Sequence, residues 1–325
     1  MVIFSTKFNS AGATMPRQKR LFLIFMPVTL LTVILLAKHF QLQISYLFAV
    51  AYLFWAYLEI AFAVLVALAA IIFARARWPA ALVLTVLAVS LVWIYLSDYR
   101  KNGPATGQSL KVITYNWLGG NRDRSDIYRW IAQQQPDIMT IDEFSSRDLD
   151  VTTRLFPLFP YRSKLAQDNV LLSKYPIIRQ RITQVGSRAI LYARLDVNGS
   201  RIGVWSIHAS TLRNFPGLAA RNDYLAMLAD QIGSRQTEPM LMMGDFNATR
   251  WDPNFQHVVS QGKLHEEPRL LPFPTRMAVR RGLQSLGSPI DHILANGRNK
   301  LSDCSTGPLL GSDHRPMICT LTLEQ

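Results

Sequence analysis

The chain has 325 residues, 49% hydrophobic and 18% charged, and its 35 Lys and Arg against 22 Asp and Glu give a formal charge of +13. This length and apolar fraction allow a sizeable core in one large domain or two ordinary ones, and exclude a disordered, collagen-like or disulfide-scaffold chain. The positive charge suits an anionic substrate or a lipid surface and carries no information about fold.

Apolar residues crowd into the first third. Residues 21–37, 44–74 and 79–96 are almost wholly apolar, whereas the chain after Ser97 alternates as a soluble protein does. Roughly 20 apolar residues in a helix cross a hydrocarbon core of about 30 Å, so the runs predict three transmembrane helices and a membrane anchor over residues 1–96. Glu59, the one acid inside them, reads as a polar group facing neighbouring helices. Arg17, Lys19 and Arg20 precede the first run, but no small-residue cleavage site follows Ala37, which points to an uncleaved anchor. With Arg75 and Arg77 in one loop and Lys38 alone in the other, the positive-inside rule puts the amino terminus in the cytoplasm. Three spans then deliver the rest of this multi-pass chain to the extracytoplasmic side, against the weaker signal of Arg100 and Lys101 beyond the last span.

Residues 97–110 are polar, contain Gly and Pro, lack periodicity and read as a linker to a domain over 111–325. Strand-forming runs recur at 111–115, 137–141, 170–172, 189–195, 201–207, 240–243, 290–294 and 316–323. Ser125 is placed to cap a helix with Ile127, Trp130 and Ile131 on one face and Pro136 after its end. A second helix aligns Leu218, Leu225, Leu228 and Ile232, with Gly233 beyond. The fold class is therefore α/β, with helices covering packed sheets. Cys304 and Cys319 read as two buried free thiols, although an oxidising compartment would permit a bridge.

Polar residues fall at the ends of these runs: Asn116 after the first, Glu143 after the second, His208 after the fifth, Asp245 and Asn247 after the sixth. Asp291 opens the seventh, and Asp313 and His314 precede the eighth. Strand ends on one rim of a sheet converge, and loops at such rims are where sites form. Taken singly, Gly-Asp-Phe-Asn is a turn and Asp-His before Arg-Pro a strand-start cap. Taken together, these residues supply carboxylates, amides and imidazoles. A hard cation with oxygen ligands requires carboxylates, for which Glu143 is the first candidate, and proton transfer near neutral pH suits histidine.

The strings TYNWLGG, PDIMTIDEF, LLSKYPI, IHAS, GDFNAT, PIDHIL and GSDHRPM, in this order over residues 111–323, resemble the endonuclease/exonuclease/phosphatase superfamily. The resemblance implies a two-sheet α/β sandwich with the active site at the top of the sheets. It also implies Mg2+, with Mn2+ as a substitute, held by Glu143 together with Asn116 and Asp313. His208 and His314 would flank the phosphate as acid and base, with Asp291 fixing the tautomer of His314. Asp245 would position or deprotonate the attacking water, and Asn247 would hold phosphate oxygens. Arg276 and Arg280 lie in a basic stretch expected to overhang the site and bind a second phosphate or an anionic head group. Arg276 stands where related chains often have a tryptophan. Asp137, Asp142 and Asp252 do not match the family's acids and read as turn or surface residues. His257, His265 and His292 are given no role.

Fold and metal site do not name the substrate. The predicted tether resembles the bacterial teicoplanin-resistance membrane phosphatases, which act on prenyl pyrophosphate carriers of cell-wall synthesis. The expectation is a phosphoesterase of a bacterial inner or plasma membrane acting on a phosphate ester or pyrophosphate, lipid-linked by this resemblance. The rival is a nuclease cleaving DNA or RNA, which the positive charge favours and the lack of a basic stripe interleaved with aromatics disfavours. A third reading, a non-catalytic membrane-anchored binding protein, sits badly with the presence of every expected site residue. Nothing in the sequence sets an oligomeric state.

Overall fold

Successive side chains of a strand point to opposite faces, so each apolar strand here divides its residues between two layers. The computed structural model describes residues 26–36, 46–72, 77–101, 107–120, 124–145, 154–235, 238–269, 272–277, 287–297 and 299–324. Its strands, in chain order, are β1 (Gly107–Asn116), β2 (Ile138–Asp142), β3 (Tyr161–Arg162), β4 (Asn169–Ser173), β5 (Ile177–Val185), β6 (Arg188–Val197) and β7 (Ser200–His208). There follow β8 (Met240–Asp245), β9 (Leu264–His265), β10 (Arg276–Met277), β11 (Gly287–Ser288), β12 (Asp291–Asn296), β13 (Lys300–Thr306) and β14 (Met317–Glu324). They form two six-stranded sheets, β13-β14-β1-β2-β4-β3 and β5-β6-β7-β8-β12-β9, with β10 and β11 as a separate ribbon.

Each sheet contains one parallel pair, β1 with β2 and β7 with β8, flanked by antiparallel neighbours. Parallel pairing needs a crossover, here a helix in both cases. α5 (Ser125–Gln134) joins β1 to β2, and α6 (Phe215–Gly233) joins β7 to β8. The sheets pack face to face over Val112, Ile138, Leu191, Val204, Leu241 and Ile293. α5 covers the outer face of one sheet through Ile127, Trp130 and Ile131, which pack on Ile113, Met139 and Leu172. α6, with α7 (Pro253–Gly262), covers the outer face of the other through Leu225, Leu228, Ile232 and Val258 on Trp205 and Met242. This is the two-sheet α/β sandwich that the sequence implies.

Several local expectations are corrected. Arg124, not Ser125, occupies the cap position of α5, and Ser125 is its first helical residue. Cys304 and Cys319 are bridged across the neighbouring strands β13 and β14 rather than free. Asp142 and Asp252, expected at the surface, are fully buried. α7 went unread although Asp252 caps it through Asn254 N and Pro253 opens it, a start signal visible in the sequence. β5 escaped because it is an edge strand whose sequence, IIRQRITQV, lacks a fully buried face.

Among the described residues, four helices precede the sandwich: α1 (Met26–Leu36), α2 (Tyr46–Leu53), α3 (Trp55–Ile72) and α4 (Arg77–Lys101). Among the described residues, α3 alone is long and apolar enough by length and composition to cross a membrane, while Met26–Leu36 and Trp78–Val89 are shorter apolar helices. The expected span over 44–74 is interrupted at Phe54, between α2 and α3. α4 runs into the expected linker and β1 takes its last residues. Arg17, Lys19, Arg20, Lys38, Arg75 and Arg280 lie outside the described residues. The Trp55 indole donates to Glu59 (2.6 Å), which is the neighbour the sequence could not supply.

Candidate active site

Along the inner face, four strands turn from apolar to polar at the same end. β1 carries Leu110, Val112, Thr114 and Asn116; β2 carries Ile138, Thr140 and Asp142; β7 carries Ile202, Val204, Ser206 and His208; β8 carries Leu241, Met243 and Asp245. The two-residue period that builds the core between the sheets thus places a polar cap on it. Register aligns Asn116 with Asp142 in one sheet, and His208 and Asp291 with Asp245 in the other. Bonds across the cap tie the sheets together: Asp245 N donates to Asp142 Oδ2 (3.0 Å), and Asn116 Nδ2 to Asp245 Oδ2 (3.3 Å).

Glu143 follows β2 in the left-handed region (φ 58°), which turns its side chain back over the cap. Gly119 N donates to its Oε2 (2.9 Å), Asn116 Nδ2 to its Oε1 (3.3 Å), and the Trp117 indole to its carbonyl (3.0 Å). Burial opposes ionisation of Glu143, yet these donors and the nearby histidines outweigh it and hold its pKa below the usual carboxylate range. Asp245 behaves in the opposite way. Burial and the charge of Asp291 raise it, against the pull of His314 and His208. Asp142 is raised well above its ordinary value by burial and by Asp245.

Asn247 is also left-handed (φ 47°). Its N–H donates to Asp245 Oδ1 (2.8 Å) and its amide to Ala209 O (3.0 Å). Beneath it, the fully buried Arg221 of α6 donates to Asn247 O (3.2 Å) and pairs with Asp252 (2.7 Å). Gly244 permits this corner: its φ is 140°, and a Cβ there would meet Ile207 O at 1.9 Å.

His314 Nδ1 meets Asp291 Oδ2 at 2.8 Å, and its Nε2 lies 3.8 Å from Asp245 Oδ2. Ser312 clamps the turn, donating to Asn116 O (2.7 Å) and accepting from His314 N (3.0 Å). Burial works against the imidazolium, but Asp291 and then Asp245 and Asp313 outweigh it and raise the pKa to about 9. His208 has its own carboxylate: Asp168 Oδ1 lies 3.1 Å from Nδ1, and Arg188 lies 2.9 Å from Nδ1 and 2.5 Å from Asp168. Burial opposes the Asp168 charge, and the bond from His208, with Arg188, lowers its pKa nonetheless.

The structure therefore gathers Asn116, Glu143, His208, Asp245, Asn247, Asp291 and His314 at one end of the sandwich. Asp313 adjoins them, with its carboxylate 3.5 Å from Arg276, whose backbone bridges His314. Arg276 thus lies against the turn that carries Asp313 and His314. His292, on the outer face, is held by Glu266 (2.6 Å) and Ala248 O (2.8 Å), a satisfied structural histidine. Sequence reasoning missed Asp142, Asp168, Arg188 and Arg221. Asp142 at the end of β2, Asp168 directly before β4 and Arg188 at the start of β6 stood where strand-end logic could have found them; Arg221, inside a helix, did not. A pocket lined by Gly119, Glu143, Phe144, Asp168, Arg188 and Arg213 opens beside the site.

Residues 113–314 match the Endonuclease/Exonuclease/phosphatase family. Among solved structures, a sphingomyelinase C from Streptomyces griseocarneus is similar at 18% identity and TM-score 0.52, over 66% of this chain and 99% of its own. An endonuclease/exonuclease/phosphatase from Beutenbergia cavernae is similar at 16% identity and TM-score 0.56, over 67% and 72%. Truncated Caenorhabditis elegans TDP2 is similar at 14% identity and TM-score 0.54, over 68% and 100%. At these identities the likeness is one of fold. A search of curated proteins returns no match.

Proposed function

Because the chain belongs to the endonuclease/exonuclease/phosphatase family, whose members hydrolyse phosphoesters, we propose that it is a membrane-tethered, Mg2+-dependent phosphoesterase acting on a lipid-linked phosphate ester or pyrophosphate. The observation that carries this reading is the acid-rich polar cap on the inter-sheet core, with two separate histidine–carboxylate pairs at its edge.

The donor set fits a hard divalent cation. The Asn116 amide bridges Glu143 and Asp245, and among the described residues Asp142 Oδ1 and Asp291 Oδ1 are buried without a hydrogen-bond partner. Surplus buried carboxylate oxygen favours an added cation. Ligand atoms of Asp245, Asp291 and His314 also lie within 4.8 Å of one another. His314 Nδ1, however, is already engaged by Asp291 Oδ2 at 2.8 Å and its Nε2 faces Asp245, an arrangement that suits a proton relay better than a cage. Glu143 and Asn116, with Asp313 nearby, would hold the ion, which supplies polarisation of the phosphoryl oxygens.

The chain's own groups supply the rest. Asp245 orients the attacking water, as its position between Asn116 and His314 allows. Asn247 offers an uncharged donor for the phosphate oxygens, which avoids repulsion. His314, oriented by Asp291, presents Nε2 toward the phosphate, and His208, oriented by Asp168, serves the leaving oxygen. Three membrane spans and an extracytoplasmic domain belong to the same proposal. Exposed apolar side chains such as Leu30, Ile60, Leu68 and Leu82 on α1, α3 and α4 support the tether, and the Cys304–Cys319 bridge supports an oxidising compartment.

The test is turnover by the purified full chain with Mg2+ on a prenyl pyrophosphate, a phosphoinositide and plasmid DNA. Phosphate release from the prenyl compound, abolished by EDTA and by Glu143→Ala, is the expected result. Nicked plasmid alone would establish the nuclease reading, and normal turnover by Glu143→Ala would falsify its role.

A further inference from the structure

Helices α2 and α3 touch the sandwich at the polar rim, through three segments that each adjoin the polar end of a site strand, two leaving β7 and β8 and one entering β12. Tyr46 of α2 donates its hydroxyl to Leu212 O (3.2 Å) and lies 5.3 Å, centroid to centroid, from the ring of Phe215, in the segment that leaves β7 after His208. Thr249 donates to Tyr52 O (2.7 Å), and Trp251 packs with the buried Tyr52 and Trp55, in the segment that leaves β8 after Asp245 and Asn247. The Tyr57 hydroxyl both donates to Gly287 O and accepts from Gly287 N (3.1 Å each), where β11 leads into β12 and Asp291. Tyr and Trp at such a junction favour the membrane–water interface, where one end of the ring is apolar and the other wet.

From this junction α3 departs with 18 residues, apolar but for Glu59 in its second turn, about 27 Å of helix and close to the thickness of a hydrocarbon core. Its later side chains, including Ile60, Val64, Leu68 and Ile71, are exposed. The site pocket lies on the same side, since its wall residues Thr211 and Arg213 flank the Leu212 that receives Tyr46.

We propose that the α2–α3 junction seats the mouth of the active site at the surface of a lipid bilayer, and that the substrate is an amphiphilic phosphate whose apolar part stays in the leaflet. This deepens the phosphoesterase reading and rests on it for the chemistry. Arg213, exposed at the pocket wall, then meets anionic head groups. A substrate confined to the plane that the mouth occupies is presented at a raised effective concentration.

The test uses the full chain in discs of phosphatidylcholine and phosphatidylglycerol. A fluorophore is attached through Arg213→Cys at the rim or Asn198→Cys in the β6–β7 turn, at the opposite end of β7 and about 30 Å away along the strand. Both native cysteines are paired and leave the label site-specific. Head-group spin-labelled lipid is expected to quench the Arg213 label several-fold more than the Asn198 label; equal or reversed quenching overturns the proposal. Tyr57→Phe, which loosens the junction, is expected to raise KM for a disc-borne prenyl pyrophosphate by about 3- to 10-fold, the worth of one hydrogen bond. Its kcat, and the hydrolysis of water-soluble bis(p-nitrophenyl) phosphate, should not change. An equal loss on both compounds, or no change on either, overturns it. Because the soluble diester reports the chemistry alone, failure of the bilayer placement is distinguishable from failure of the phosphoesterase reading.

Discussion

Asp291 shows how one side chain sets the behaviour of another. It sits at the start of β12, opposite Asp245 in register, and its carboxylate meets His314 Nδ1 at 2.8 Å. Asp291→Asn removes the charge that sustains the imidazolium while keeping the shape. Its kcat should fall on the order of 100-fold with KM little changed, and His314→Gln should add little on top, because the pair acts as a unit. Full additivity of the two changes in steady-state kinetics would show that they act separately. Glu266 is a second residue whose environment has a measurable consequence. Burial opposes its charge, but His292, and with it Arg250 and Arg269, holds its pKa below the ordinary value. A carboxylate lowered in the folded state stabilises above its unfolded pKa of about 4.3, and that contribution is lost as pH falls through the folded value. Glu266→Gln should therefore be less stable than the parent at pH 7 and should lose less further stability in acid, read from denaturant midpoints at pH 7 and pH 3.

At the scale of the element, the corner after β8 sets two site residues, Asp245 and Asn247, within a few positions. Gly244 passes so close to Ile207 that any side chain must displace backbone, and Asn247 completes the turn in the left-handed region over the buried Arg221–Asp252 pair. Gly244→Ala should cost about 1–3 kcal/mol in chemical denaturation, as overpacking does, and should reduce turnover by shifting Asp245. Wild-type activity in that variant would mean that the corner tolerates movement. The β13–β14 pair illustrates a different dependence. The bridge between Cys304 and Cys319 closes a short loop of sequence separation 15, worth about 3 kcal/mol in a chain-entropy account. Reduction should lower the unfolding midpoint accordingly, and because the closed loop carries Ser312, Asp313 and His314, turnover should fall with it.

For the whole molecule, the arrangement is a sandwich whose two parallel pairs, β1 with β2 and β7 with β8, point polar ends at one rim. That rim also receives the apolar amino-terminal helices. The inter-sheet core, its polar cap and the apolar helices follow one another in that order, so the apolar layer between the sheets supplies stability and its polar end carries the candidate site. Chelation should therefore abolish turnover while leaving the secondary structure, read by circular dichroism, nearly unchanged. Collapse of that signal with EDTA would instead make the cation a structural requirement.

The main strands and two covering helices were legible because their apolar residues recur at periods of 2 and 3.6, a local property of the chain. Asn116, Glu143, His208, Asp245, Asp291 and His314 were legible as strand-end residues, and the order of their motifs marked the family. Their partners were not. Asp168 against His208, Asp142 against Asp245, and Arg221 against Asn247 and Asp252 are pairings between residues far apart in sequence, created by sheet register and helix packing. The same holds for the Cys304–Cys319 bridge and for Arg276 against Asp313. Local periodicity determines which residues lie on a face and at which end. Which of them meet, and hence their charge states, depends on contacts that only the folded chain brings into being.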